Sequence, residues 1–589
     1  MKTRKRDSAR VAPSPDPHKP RPAAHKPPPA TNNWMWYGAG FAALAVLFWV
    51  YGPTMHTGFL FDDTKQLFAL PSASLPLHFW IGRVRPVLML TYWANTRISM
   101  EDTFSYHVFN ILIHALAGIF IFLVIRRLLE WAGAEKPTRT PFAVFGALLF
   151  LLHPLQTESV AYISGRSDAL CGLFGCAAFA VFLYRRSPAI AWARVLPLVL
   201  LFAAAVLSKE QAVVLPALFV LTDIWWNPES PWRAVLANWK LYAVLALGAA
   251  AAVALFWWMI FAGGAGGSAG FAMKDLTWYQ YLFTQFRAIF AYLFNFLLPI
   301  HLTIDWDFPI SHGILDHGSI LGLAGLLALA AAAWRYRRRF PLAGYGYFLF
   351  LVLLSPTSSI LPIQDPVADR RMYFPILGLI LIAIDLLRHL KVEPKGLATA
   401  AAALLVAAAL VTHARAQVWS DPILLWQDTA LKSPNKTRAH FQLAFAYFEQ
   451  GRNDLAVAEF QKTAELKPPT ADLLYDWGLA YDALHQPALA LAKLRQSAAL
   501  DSTAQVFTQI AKVYAGQRQW ADALDALSVA ERLDPSFAIT YLYRGKVFLN
   551  SNRPAEALVQ YQRALAIDPQ VPDGQHDLAI AQSMLRTGH

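Results

Sequence analysis

Cysteine and charge are both scarce in this 589-residue chain, which holds two cysteines and 15% charged residues. Cys171 and Cys176 fall in one apolar run without metal-ligand spacing, which excludes a disulfide framework and leaves two buried thiols. Low charge combined with 56% hydrophobic residues excludes a soluble protein, whose core would have to be implausibly large. A phosphate-binding loop is missing too: the glycine-rich "GGAGGSAG" at 263–270 has no Lys-Ser/Thr and reads as a flexible loop. The net charge of +12 does not point to nucleic acid, because eight Lys or Arg against two Asp in the first 30 residues supply about half of it. That Pro-rich tail, 1–33, is expected to be disordered and cytoplasmic.

What the chain has in abundance is apolar length. Runs of roughly 17 to 25 residues, enough to cross a bilayer core of about 30 Å, recur from Trp34 to Val418. The first of them, "WMWYGAGFAALAVLFWVYG", is too long for a signal-peptide core and reads as a retained span. Basic residues cluster in the tail, at Arg126 and Arg127, Arg185 and Arg186, Arg233 and Lys240, Arg335 with Arg337 to Arg339, and Arg388 with Lys391 and Lys395. Placing these clusters inside leaves the acidic residues outside: Asp62, Asp63, Glu101, Asp102, Glu158, Asp168, Glu210, Asp275, Asp305, Asp307, Asp316, Asp365 and Asp369. Segment 277–300 would break this alternation if it crossed. It carries Gln280, Gln285 and Arg287, and is expected to lie along the outer interface or to re-enter. About eleven spans remain, an odd number, which puts the C-terminal part on the acidic side. The expected location is a bacterial inner membrane, with the N-terminus cytoplasmic and the C-terminal part periplasmic.

From Trp419 onward the composition turns polar and a period emerges. Tyr447, Tyr481, Tyr514 and Phe548 are spaced by 34, 33 and 34 residues. Ala456, Ala490, Ala523 and Ala557 repeat those spacings, as do Ala444, Gly478, Ala511 and Gly545, and Phe460, Leu494, Leu527 and Tyr561 follow in register. Pro468, Pro535 and Pro569 close the first, third and fourth units, and Ser502 replaces proline in the second. This pattern resembles the tetratricopeptide repeat, a helix pair that buries its apolar face against its neighbours and builds a groove suited to an extended peptide. The expected architecture is all-α: a polytopic membrane helix bundle at 34–418, a half-repeat linker at 419–436, four tetratricopeptide repeats forming a solenoid at 437–569, and a capping helix at 570–589.

Several ionisable residues of the outer loops lie within a few positions of an apolar run, where desolvation is costly. They are Asp62 and Asp63 in "GFLFDDTKQL", Glu158, Arg166 and Asp168 in "HPLQTESVAYISGRSDAL", Lys209 and Glu210 in "LSKEQAVVLP", and Asp365, Asp369, Arg370 and Arg371 in "PIQDPVADRRMYFP". Cations there can hold a phosphate, and a carboxylate can take a proton from a hydroxyl. Together they make a minimal kit for moving a sugar from a lipid phosphate to a hydroxyl with inversion. Plainer roles exist for each: Arg166 and Asp168 as a local ion pair, Lys209 and Glu210 as a helix end, Arg370 or Arg371 on bulk lipid phosphate. His107, Asn110 and His114 share a helical face, but the histidines are two turns apart and read as buried polar packing rather than a metal pair.

The order of "FDD", "RPVLMLTYWANTRIS", "FLLHPLQTESVAYISGRSDAL", "LSKEQAVVLPALFVLTD", "VADRRMYFP" and the terminal repeats resembles the transmembrane and tetratricopeptide-repeat O-mannosyltransferases, members of the GT-C glycosyltransferase superfamily, and their bacterial relatives. The resemblance covers nearly everything after residue 33. It implies a GT-C-like bundle and an inverting transfer of a sugar, mannose among the candidates, from a polyprenyl-phosphate donor to a hydroxyl acceptor such as protein Ser or Thr. "FDD" is similar to the "DE" pair of protein O-mannosyltransferases, which makes Asp62 the base and Asp63 its orienting partner; Asp in place of Glu leaves the role of Asp63 open. By resemblance and charge, Arg166, Lys209, Arg370 and Arg371 are donor-phosphate ligands, with Glu158, Asp168, Glu210 and Asp369 as further site candidates. No cofactor is required by this reading. A divalent metal at Asp62 and Asp63 remains an option, although two carboxylates are too few for a dedicated site. The expected partners are the lipid-linked sugar, the membrane, and a protein or peptide in the repeat groove. The rival readings are a non-catalytic scaffold recruiting proteins through its repeats, and a transporter, which would show charged mid-span residues in two related halves.

Overall fold

The computed structural model describes residues 34–69, 74–100, 102–185, 189–262, 270–271, 273 and 275–587. The tail 1–33, the glycine-rich stretch 263–269, Glu101 and Arg186 lie outside them. The chain divides into two units, Met1–Ala45 and Val46 onward. Of the first, the described part is the start of the helix Trp34–Tyr51. Everything below concerns the second.

The architecture is all-α: a membrane helix bundle followed by a tetratricopeptide-repeat solenoid. Five helices are long and apolar enough to cross a membrane, or up to seven if each of two bent pairs counts as one span, among the described residues. That is fewer than the eleven expected from apolar runs. Several runs fold as short helices, Trp192–Ser208, Pro341–Leu354 and Ile376–Leu387, or as bent pairs such as Lys136–Leu152 with Pro154–Ala161, broken by 50°. Pro154 removes a helical donor at that break. Segment 277–300 forms the helix Trp278–Leu297, which is not among the candidate spans. Tyr281, Thr284, Gln285, Ala288, Ile289, Tyr292 and Asn295 bury one face of it. Both predicted thiols are buried and unpaired.

Close approach of backbones is set by glycine. A Cβ on Gly346 would strike the carbonyl oxygen of Gly378, and one on Gly378 would strike that of Gly346, so Pro341–Leu354 and Ile376–Leu387 touch main chain to main chain. At the opposite end of the sequence the same logic sets the repeats. A Cβ on Gly478 would lie 2.8 Å from Leu494, the large residue of its own helix pair.

The solenoid comprises the pairs Thr437–Glu449 with Asn453–Leu466, Ala471–Ala483 with Pro487–Leu500, Ala504–Gly516 with Trp520–Leu533, and Ala538–Asn550 with Pro554–Ile567. Gly574–Thr587 closes the stack, and Pro422–Lys432 precedes it. One hydrophobic cluster runs from Leu60, Ala161, Tyr162 and Ile304 of the bundle's loops into Trp419, Ile423, Trp426, Ala439 and Leu443. The first repeat therefore shares its core with the loops that carry "FDD". Polar contacts reinforce the joint: Ser433 Oγ donates to the Asp305 carbonyl (2.7 Å), Lys432 Nζ to that of Leu302 (2.9 Å), and Asn435 Nδ2 to Asp307 Oδ2 (2.9 Å).

Replacing Gly346 by Leu forces two backbones apart and is expected to cost about 1–3 kcal/mol. A lowered detergent melting temperature, with Gly396→Leu on an open surface as the neutral comparison, checks this.

Candidate functional site

The "FDD" stretch forms a tight turn, Phe61–Lys65. Leu60 enters it extended, and Phe61 turns the chain with a positive φ of 48°, a conformation rare for a bulky residue. Asp63 holds this turn. Its Oδ2 accepts from the Leu60 N–H (3.2 Å), while Oδ1 accepts from the Ser164 N–H (2.9 Å) and from the Ser164 hydroxyl. Burial pushes its carboxyl up to about 7, against the pull of those hydrogen bonds; the charge of Asp62 adds little. Asp63 therefore fastens the turn to the segment before the helix Arg166–Leu183, with both oxygens committed. Asp62 differs from its neighbour. Its N–H donates to the Tyr162 hydroxyl (3.0 Å), and its half-buried carboxylate makes no hydrogen bond or ion pair with any described residue.

Beyond Tyr162, which lies within electrostatic reach of Arg370, the structure assembles an alternating web of charge. Arg370 meets Glu158 twice, through its backbone N–H (2.9 Å) and through Nη1 (2.5 Å). Lys209 Nζ pairs with Asp168 Oδ2 (2.5 Å), and Gln211 Nε2 holds the other oxygen (3.2 Å). Arg85 grips Glu210 with a bidentate fork (3.0 and 2.7 Å). Burial raises the Glu210 carboxyl, but the charge and hydrogen bonds of Arg85, joined by the charge of Lys209, together outweigh it and hold the group down at about 2. The pairs lie within electrostatic reach of one another: Arg370 feels Asp168 and Tyr162, Lys209 feels Arg85 and Arg370, and Tyr162 feels both Asp62 and Asp63. Seven of the residues singled out in the sequence, Asp62, Asp63, Glu158, Asp168, Lys209, Glu210 and Arg370, are thus brought together.

Arg166, Arg371 and Asp369 have other company. Arg166 is fully buried and donates to Asn110 Oδ1 (2.7 Å), Asn95 Oδ1 (2.6 Å), Thr91 Oγ1 (3.2 Å) and the Tyr106 carbonyl (2.9 Å). Asp168, its expected ion-pair partner, is taken by Lys209. Arg371 donates to the carbonyls of Pro366 (2.8 Å), Asp365 (2.5 Å) and Thr357 (3.3 Å), folding the loop before it. With their N–H groups spent on protein acceptors, neither presents a free fork to a phosphate. Asp369 accepts from the Thr303 N–H (3.0 Å) and Trp306 Nε1–H (3.2 Å), and lines a closed cavity of about 10 Å³ with Glu158, Thr303, Arg415 and Trp419. Burial first, then the adjacent Glu158, pushes its carboxyl up to about 8. His107 and His114 have separate partners, the Thr57 carbonyl (3.3 Å) and the Tyr373 hydroxyl with the Leu151 carbonyl (2.9 and 3.1 Å). Among the described residues no group of three or more His, Cys, Asp or Glu side chains gathers as a metal site.

Four residues of this region went unread in the sequence: Arg85, Tyr162, Ser164 and Arg438. Arg85 sits in "RVRP", between two apolar helices, the one signal that marked it. The other three are recognisable only through partners at least 73 residues away, Arg438 through Asp365.

Mouse protein O-mannosyl-transferase TMTC3 is 21% identical over 604 residues, which cover 91% of this chain and 64% of that one. The human TMTC3 gives 21% over 618 residues, 91% and 65%. This chain resembles the protein O-mannosyl-transferases. Fruit-fly Tmtc1 is 32% identical over 206 residues, 32% of this chain and 22% of that one. The chain thus spans just under two thirds of the length of the two mammalian relatives. No family model matches it. Among solved structures, MamA aligns with 25% of this chain and 87% of its own (20% identity, TM-score 0.24). YrrB, described as a tetratricopeptide-repeat protein with an unusual peptide-binding site, aligns with 30% and 88% (20% identity, TM-score 0.24). At those scores neither bears on the site.

The raised carboxyl of Asp369 carries a pH signature. Its value of about 8 exceeds the ordinary 3.8, so between these limits the folded state binds more protons than the unfolded one. Stability from this group is full below about pH 4 and is lost as the pH climbs toward 8. Thermal unfolding of the full chain between pH 5 and 9 is expected to show a melting temperature that falls with pH, and less steeply in Asp369→Asn, the raised carboxyl of Asp63 keeping part of the slope.

Proposed function

We propose that this protein is a membrane glycosyltransferase that moves a sugar from a polyprenyl-phosphate donor to a hydroxyl acceptor with inversion. A single observation carries the reading: an uncommitted carboxylate, Asp62, is held through its N–H by Tyr162, which lies within electrostatic reach of Arg370 in a web of cations that retain partial exposure. Side-chain exposures of 30% for both Arg85 and Arg370 leave room for a phosphate to share them, and Lys209, at 13%, lies between. In the transfer, Asp62 takes the acceptor hydroxyl's proton while that oxygen attacks the anomeric carbon. The bond from this carbon to the phosphate oxygen breaks, and the polyprenyl phosphate leaves on Arg370, Arg85 and Lys209. Asp63 keeps the turn that aims Asp62. The likeness to named O-mannosyl-transferases supports mannose as the sugar and protein Ser or Thr as the acceptor. Arg166 and Arg371 then act as frame for the site rather than as phosphate ligands.

The repeats would present the acceptor. Their shared core with the loops bearing Asp62 supports placing both on one side of the membrane, the extracytoplasmic face of a bacterial inner membrane by the distribution of basic loops. A cysteine introduced at Ser528, which reacts with an impermeant label added from the cytoplasmic side alone, would overturn that placement.

Removing the base is the direct test. Asp62→Asn is expected to lower transfer by at least about 100-fold while membrane insertion and melting temperature persist. Full transfer in this variant would remove Asp62 from the role of base, and a wild type that transfers nothing would return the protein to the scaffold reading.

A further inference from the structure

We infer that the first tetratricopeptide repeat and its linker form a wall of the catalytic site, with Trp426 and Arg438 as positioning residues for Asp62. This inference rests on the transferase reading for its kinetic consequence, though not for its structural one. The argument starts at Phe61, the residue before Asp62. A phenylalanine at φ 48° is strained, and such a conformation persists only where the surroundings hold it. Two side chains from the repeat side hold this one. The Trp426 ring, from the helix Pro422–Lys432, meets Phe61 edge to face at 5.4 Å between centroids, and the Arg438 guanidinium lies 5.6 Å from the centre of the same ring.

Arg438 is itself fixed by carboxylates of the bundle's loops. Its Nε and Nη2 form a fork on the buried Asp305 (2.6 Å each), and Nη2 also reaches Asp365 Oδ1 (2.9 Å). Lys436 binds the same two carboxylates (3.1 and 3.5 Å) and donates to the Trp306 carbonyl (3.2 Å). On the other flank of Asp62, Tyr162, whose hydroxyl accepts the Asp62 N–H, has its ring centre 5.6 Å from that of Trp419, where the chain leaves the last bundle helix. Phe61, next to Asp62, is thus held directly, and the Tyr162 that bonds Asp62 is flanked, by residues that a bundle ending at Val418 would not contain. Displacements of about 1 Å at a reacting group can cost on the order of 100-fold in rate, so the repeats set turnover as well as any acceptor affinity.

The experiment uses full-length protein in nanodiscs. Arg438→Ala, Arg438→Lys and Phe61→Gly are compared with Arg553→Ala, an exposed pair in the fourth repeat, as control. Hydrogen exchange of the 60–66 amides is expected to accelerate at least tenfold in Arg438→Ala and Phe61→Gly, less in Arg438→Lys, and not in the control. Where wild-type protein transfers sugar, kcat is expected to fall at least tenfold in those two variants with KM for the acceptor within twofold. Unchanged exchange at 60–66 in both variants overturns the inference, as does a rise in KM with kcat intact, which would make Arg438 a binding residue only. Phe61→Gly relieves the strained backbone and keeps the Asp305 pair intact, so the question stays decidable if Arg438→Ala fails to fold. If wild type transfers nothing, the transferase reading fails by itself while the exchange measurement still decides whether the repeat holds the turn.

Discussion

A fully buried arginine with no carboxylate partner among the described residues underlies the loops that carry "FDD". Withdrawing the Arg166 guanidinium from water costs several kcal/mol, and nothing opposes its charge directly. What compensates is dense neutral ligation by Asn95, Asn110, Thr91 and the Tyr106 carbonyl, with the Tyr92 ring face 4.7 Å away. Hydrogen bonds to a charged group contribute about 1.5–3 kcal/mol each, so the set can carry the burial. Its geometric effect is larger than its energetic one. One side chain ties the helices Pro86–Ser99 and Phe104–Trp131 to the start of Arg166–Leu183, and Ser164, two residues upstream, is the anchor of Asp63. Asn110 extends the frame, donating to the carbonyls of Val160 and Tyr162 at 3.1 and 3.2 Å.

On this frame the two aspartates of "FDD" divide their labour by burial. Asp63 has surrendered both oxygens to the backbone and to Ser164, so it behaves as a covered fastener. Asp62, one residue on the other side of the turn, keeps its carboxylate to itself. A neighbouring pair of like charges thus becomes one structural group and one available group, which a reading of adjacent letters could not distinguish.

The repeats were the most legible part of the chain, because a period near 34 imposes small residues where Gly478 meets Leu494 and large ones opposite. Asp305 and Asp365 of the acidic loops meet Arg438 of the first repeat. The pairings were not legible. Glu158 with Arg370 and Arg85 with Glu210 join positions 212 and 125 residues apart, and local composition carries no trace of such partners. Arg166 and Arg371 were visible as cations near a membrane face, yet whether their N–H groups point at a ligand or at carbonyls is decided by the backbone of other segments. Apolar runs are a coarse guide to span number for a related reason: such a run reports burial, and Pro341–Leu354 and Ile376–Leu387 pack on each other at Gly346 and Gly378.

The alternation of Arg370, Glu158, Lys209, Asp168, Arg85 and Glu210 has a bearing on the resting protein. Every cation there has its own counter-charge before any donor arrives. An empty site of this kind does not repel itself apart and recruits no stray anion to keep its shape, so its groups wait in working order. On the proposed transfer, an entering phosphate would borrow from partners that take the charge back when it goes, which would suit a carrier that leaves after every cycle.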